Sequence, residues 1–217
     1  MAKVKVDYYV DVLCVWAYVA QVRVDEMNQN FGDSIRLTLR FVDVFGDCAR
    51  IADRWDDRGG MAAFGAHVRN VCARFDHVKV HPKLWQRNAP ASSMPCHLFL
   101  HSVGLAGGQT AMARACSELR RRFFENNVDV SARAAQLEIA ESLGLERDAI
   151  EGHRDSGRAH AALSRDLRQA RESGVKMSPT LLFDEGRQQL AGNVGYRVIE
   201  ANIRALLEHP KDEPSWC

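Results

Sequence analysis

The sequence predicts an α/β fold in the order βαβ, helical insertion, ββα. Three observations predict it: the hydrophobic period changes from two to about 3.6 near the start of the chain, strand patterns nearly vanish between Cys48 and Gly174, and the last forty or so residues return to strands before one closing helix.

Val4, Val6, Tyr8 and Val10 alternate with Lys3, Lys5, Asp7 and Tyr9, the signature of a strand. From Val15 to about Asn30 the period changes, with Val15, Val19 and Val22 at helical spacing, so Cys14 falls at a strand-to-helix joint. Phe31-Gly32-Asp33-Ser34 stops the helix, and Ile35, Leu37, Leu39 and Phe41 alternate as a second strand. A crossover of this length suits two parallel strands. In the insertion, Pro95 opens a helix ending near Gly104, and Met112, Cys116, Leu119 and Phe123 mark another. Asp129 or Ser131 can cap a helix that carries Leu137 and Leu143 and stops at Gly144, and Leu163, Leu167 and Ala170 line a last long helix ending at Ser173-Gly174. Pro179 to Asp184, a turn at Glu185-Gly186 and Arg187 to Gly192 read as a hairpin, and Ile199, Ile203 and Leu206 as the inward stripe of the closing helix. The implied organisation is residues 1–50 plus 175–209 as one sheet domain, 51–174 as a helical subdomain and 210–217 as a polar tail.

At 217 residues, 46% hydrophobic and 26% charged, with 15 Gly and 6 Pro, the chain can bury a full core and is neither disordered nor fibrous. The 29 basic residues against 28 acidic ones give a formal charge of +1, so no global field favours nucleic acid or an acidic membrane. No apolar run approaches the roughly 18 residues of a spanning helix. Asp7 and Asp11 interrupt what would have to be the apolar region of a signal peptide. The expectation is a soluble cytoplasmic protein with no membrane or nucleic-acid partner; oligomeric state stays open, a homodimer included.

The six cysteines, at 14, 48, 72, 96, 116 and 217, form no CxxC pair and no zinc spacing, which argues against a disulfide framework and leaves most of them as buried small residues. Cys14 stands apart, because a thiol at a helix start faces backbone N–H groups and the positive end of the helix dipole, which stabilise thiolate. By position alone, a packed small residue is the commoner use of such a cysteine. Pro179, in Met177-Ser178-Pro179-Thr180 where a loop enters an apolar strand, is a candidate cis proline. By base rate a trans proline opening an edge strand is commoner.

Asp11-Val-Leu-Cys14-Val-Trp16-Ala17-Tyr18 after the first strand, the helical middle, Ser178-Pro179-Thr180 and the closing ββα together resemble the DsbA-like branch of the thioredoxin superfamily. The chain is most similar to FrnE-type proteins, whose motif reads Asp-x-x-Cys-Pro-Trp-Cys-Tyr; the branch also holds 2-hydroxychromene-2-carboxylate isomerases and kappa-class glutathione transferases. The resemblance implies a thioredoxin-like fold with Cys14 as catalytic nucleophile and Trp16, Tyr18, Ser178, Pro179 and Asn193 as substrate-binding residues. Trp16 serves core packing equally well. Two departures stand out: Ala17 replaces the second cysteine and Val15 the proline. A lone thiolate at Cys14 can still attack a disulfide, take up glutathione or attack an electrophile, but release then needs another thiol. Glutathione or another small thiol is the expected cosubstrate, with no bound cofactor; Cys217 is a second resolving candidate. In the isomerases and transferases a serine holds the Cys14 position and an acidic segment after the last strand grips glutathione. Here that segment reads Gly192-Asn193-Val194-Gly195, where Asn193 could cap the closing helix or bind a ligand carboxylate.

Three functions follow: a monothiol oxidoreductase acting on disulfides or glutathione adducts, a glutathione-dependent isomerase or transferase for a small electrophilic or aromatic substrate, and a binding protein with no turnover. The partner is a small thiol or small molecule, or else a protein disulfide. His97 and His101 share a helix face beside Cys96 but lack complementary ligands, so they read as partly buried or surface histidines and no metal is expected. Arg120-Arg121-Arg122 reads as a solvated helix face.

Overall fold

The computed structural model describes residues 3–209; the expected polar tail at 210–217, with Cys217, lies outside the described residues. Four strands make one mixed sheet in the order β2-β1-β3-β4: β1 (Val4–Val10), β2 (Ile35–Phe41), β3 (Thr180–Phe183) and β4 (Gln188–Ala191). β1 runs parallel to β2, with Val4 opposite Ile35 and Val10 opposite Phe41, and antiparallel to β3, with Tyr9 opposite Thr180. This pairing of first and third strands carries the far end of the chain to Cys14. The helices are α1 (Val15–Phe31), α2 (Ala49–Trp55), α3 (Gly60–Cys72), α4 (Met94–Phe124), α5 (Arg133–Ser142), α6 (Arg147–Asp155), α7 (Arg158–Glu172) and α8 (Tyr196–Glu208). The fold is thioredoxin-like with a helical insertion, and among the described residues no helix is long and apolar enough to cross a membrane.

As the central strand, β1 is covered on both faces. Val4, Val6, Tyr8 and Val10 join a large cluster that runs through α1, α4 and α8, while Tyr9 packs with Val42, Ala170, Val175 and Leu182 under α7. The insertion therefore shares its core with the sheet. Arg40 adds a polar tie on the second face, reaching Asp7 at 2.8 Å and Asp166 of α7 at 3.0 Å.

Several local expectations change. Val15 and Val19 are buried as their spacing implies but Val22 is exposed; the buried face of α1 also takes in Ala17, Ala20, Val24, Met27 and Phe31. The two helices expected around Gly104 and Met112 form one long element broken at Gly108, whose φ of 79° and ψ of −178° are open to glycine and strained for other residues. α5 is capped by Ala132 rather than by Asp129 or Ser131, because Asp129 turns its carboxylate onto the backbone N–H and hydroxyl of Ser131. α2 and α6 are short and bury little, which left no stripe to read.

Gly65 of α3 marks a close approach. A Cβ there would stand 2.3 Å from the carbonyl oxygen of Leu84. Gly65→Ala should therefore destabilise the protein by about 2–3 kcal/mol through overpacking, despite the better helix propensity of alanine. Urea unfolding checks this: an unchanged or raised midpoint contradicts the contact.

Candidate functional site

Cys14 closes the loop after β1 and is the N-cap of α1. Its backbone N–H donates to the carbonyl of Asp11 at 3.1 Å, which folds the loop into a tight turn. The thiol donates to the carbonyl oxygen of Ser178 at 3.2 Å. The Ser178–Pro179 bond is cis, and the Ser178 hydroxyl accepts the Asp11 N–H at 2.8 Å. The two segments that sequence singled out, 164 residues apart, thus meet at two hydrogen bonds.

Asp11 organises this joint and was not assigned a role from sequence. It is fully buried, and its carboxylate accepts from the N–H of Leu13 at 3.0 Å, the N–H of Phe45 at 2.8 Å and the hydroxyl of Ser93 at 2.8 Å. One side chain therefore binds the Cys14 loop, the strand exit after β2 and the start of α4. Burial pushes its carboxyl up to about 6, against the pull of those donors. His97 lies beside it, its Nε2 3.7 Å from Asp11 and accepting the Val12 N–H at 3.2 Å, with its ring stacked on Phe41. Burial, first, and then His101 and Arg120 lower its pKa to about 3, so the ring is neutral.

His97 and His101 are therefore core residues, not partly buried or surface ones. His101 sits 2.9 Å from Asp166, a side chain that also holds the Phe41 N–H at 3.2 Å. Among the described residues no group of three His, Cys, Asp or Glu side chains is placed to hold a metal. The signal available in sequence was Asp11 itself, an acid following an apolar strand, and Ser93 just ahead of Pro95.

The helix-dipole argument for a ready thiolate at Cys14 is overturned by burial. Cys14 is 5% exposed, and desolvation pushes its pKa up, more than donation from Ser178 and from the backbone N–H groups of Ala17 and Trp16 pulls it down. All five described cysteines are buried and free. Cys48 and Cys72 are pushed up to about 12 and about 11 by burial, with no hydrogen-bond donor working against it. What distinguishes Cys14 is a set of donors that awaits the thiolate rather than a thiolate at rest. The rate of Cys14 alkylation should accordingly keep rising with pH past 9, ahead of the other buried thiols. A plateau below pH 8 in a peptide-mapped iodoacetamide profile would contradict the burial argument.

The other expected site residues are placed differently. Trp16 is half-buried and meets Phe75 edge-on at 6.3 Å. Tyr18 stacks on Phe124 at 4.5 Å and donates its hydroxyl to Glu125 at 2.9 Å, tying α1 to the insertion. Asn193 accepts a hydrogen bond from Arg23 and does not cap α8, whose cap is Gly195 with no side-chain bond. Ala17 is fully buried. Arg120 is 1% exposed, so the arginine run is not a solvated face; Arg121 and Arg122 alone keep that role, both paired with Glu118.

Solved structures share this architecture at low sequence identity. A Nitrosomonas europaea protein named as a candidate protein disulfide isomerase superposes with a TM-score of 0.79 at 14% identity, over 97% of this chain and 100% of its own. The cytosolic disulfide reductase DsbM of Pseudomonas aeruginosa gives 0.69 at 18% identity, over 95% and 98%. A 2-hydroxychromene-2-carboxylate isomerase gives 0.64 at 18% identity, over 95% and 97%. No curated protein matches the sequence. Residues 5–204 match the DSBA-like thioredoxin domain, a span from β1 into α8, and the chain belongs to that family.

Proposed function

We propose that the protein is a monothiol oxidoreductase that works through Cys14 on glutathione adducts, with glutathione as cosubstrate in a reducing, cytoplasmic setting. The observation that carries this reading is a lone thiol at the N-cap of α1, bonded to the Ser178 carbonyl ahead of Pro179, with Ala17 where a resolving cysteine would stand. Met177, 48% exposed beside Ser178, offers an apolar shoulder for the substrate.

The reaction proceeds in two exchanges. Cys14 loses its proton to solvent as the substrate covers the site, and its thiolate attacks the glutathione sulfur of a mixed disulfide. The new Cys14–glutathione S–S bond forms as the old one breaks, and the substrate thiolate leaves and takes a proton. The thiolate of a second glutathione then attacks the glutathione sulfur held on Cys14. Glutathione disulfide departs and the Cys14 sulfur takes back a proton; one glutathione thiol has been oxidised into a disulfide for one substrate thiol released.

Incubation with glutathione disulfide followed by intact-mass measurement tests this. One glutathione adduct should accumulate on Cys14, persist until reduced glutathione is added, and be absent in Cys14→Ser. An adduct that maps to another cysteine, or none at all over a pH range reaching 9, sinks the reading.

A further inference from the structure

One buried polar feature stands outside the Cys14 and Ser178 contacts. A cavity of about 200 Å³ opens between α1, the β1/β2 face and the second half of α4. Its floor includes Arg120 and Tyr8, 1% and 3% exposed. The guanidinium makes one hydrogen bond, from Nη1 to Gln21, while its Nε and Nη2 and the Tyr8 hydroxyl have no partner. Among the described residues no carboxylate pairs with Arg120. A buried arginine left in this state is costly, and buried polar atoms are rarely left without a partner.

Nε–H and Nη2–H are parallel donors on one edge of the guanidinium, the edge that takes a carboxylate through two bonds. Tyr8 can supply a third donor. Val24, Leu37, Leu39 and Ala113 give the cavity apolar walls, and Asp25 stands exposed among its lining residues. A second negative charge on the ligand would meet that carboxylate. We infer that this cavity binds a small monocarboxylate with an apolar body, seated carboxylate-first on Arg120. Cys14 does not line the cavity, though Arg120 and Tyr8 lie within electrostatic reach of its sulfur, and the binding proposed here needs no thiol chemistry.

Sodium benzoate is the probe, with benzamide as its neutral counterpart and phthalate as its dianion, read by titration calorimetry and thermal shift on the whole protein. Benzoate should bind saturably at one site and raise the melting temperature, with benzamide and phthalate each at least about tenfold weaker. Arg120→Met should lose at least about tenfold in benzoate affinity. Should that variant fail to fold, Ala113→Phe, on the exposed wall, should weaken benzoate to a similar degree by filling the space. No saturable benzoate binding, equal binding of benzamide, or unchanged affinity in either folded variant overturns the proposal.

Discussion

Asp11→Ala should lose about 3–5 kcal/mol of stability, because three buried donors, the N–H groups of Leu13 and Phe45 and the Ser93 hydroxyl, would lose their acceptor together. That is a large share of the ~5–15 kcal/mol that holds a domain folded. Asp11→Asn keeps one acceptor oxygen and isolates the charge. The folded carboxyl titrates near 6 against a usual 3.8, so folding favours its protonated form; the associated stability is fully present below 3.8 and lost as pH rises through 6. His97, lowered to about 3 from a usual 6.5, does the reverse: its neutral form stabilises above 6.5, and that stability drains away as pH falls toward 3. Between about pH 4 and 6 the two slopes oppose each other. Asp11→Asn removes only the acid's arm. Its stability deficit relative to the parent should therefore widen by about 1.4 kcal/mol per pH unit from pH 6 down to 4. Denaturant titrations at stepped pH measure it, and a deficit that stays constant or narrows would show that the buried carboxyl is not raised.

The framework of sheet and insertion was legible because it rests on periodicity. Val4 to Val10 and Ile35 to Phe41 alternate over seven residues each, and the stripe of α8 at Ile199, Ile203 and Leu206 faces the core as its spacing implies. Cys14 and Ser178-Pro179 were legible as places where a strand changes into something else. The less legible features concern what a side chain meets across the fold. Arg120 stands four residues after Cys116, on the face of the stripe through Met112, Cys116, Leu119 and Phe123, but neither that spacing nor the text around His97 says that a polar side chain there is enclosed, so the arginine run reads as solvent-facing and the histidines as partly buried or surface. The same limit applies at Cys14: the helix start beside it is visible in sequence, while the burial that outweighs the dipole comes from tertiary packing in the shared core, with Ser178 brought in from 164 residues away. Local pattern thus located the thiol, and tertiary packing sets its protonation.

Ala17→Cys should convert a lone thiol into a redox pair. Residue 17 lies in the first turn of α1, and its backbone N–H already points at the Cys14 sulfur, so a side chain there projects back toward the N-cap. Because Ala17 is fully buried rather than near the surface, the added sulfur costs roughly 1–2 kcal/mol of overpacking in the reduced protein. The disulfide form, which draws that sulfur toward Cys14, should consequently be the more stable of the two. In an oxidising glutathione buffer the variant should lose two titratable thiols and gain dithiol oxidation of a reduced test protein, activity that the parent should lack because Ala17 offers no thiol to resolve a mixed disulfide at Cys14. Its potential follows from the same burial that raises Cys14. Strong oxidants such as DsbA, near about −120 mV, owe that value to a stabilised reduced form, whereas thioredoxin sits near about −270 mV. A Cys14 held as thiol lacks that stabilisation, so the pair should equilibrate nearer the thioredoxin value. Two free thiols persisting in the folded variant under oxidising glutathione would mean that Cys14 does not occupy the nucleophile position of the DSBA-like site, and a binding role for the edge at Ser178 would then account better for the fold.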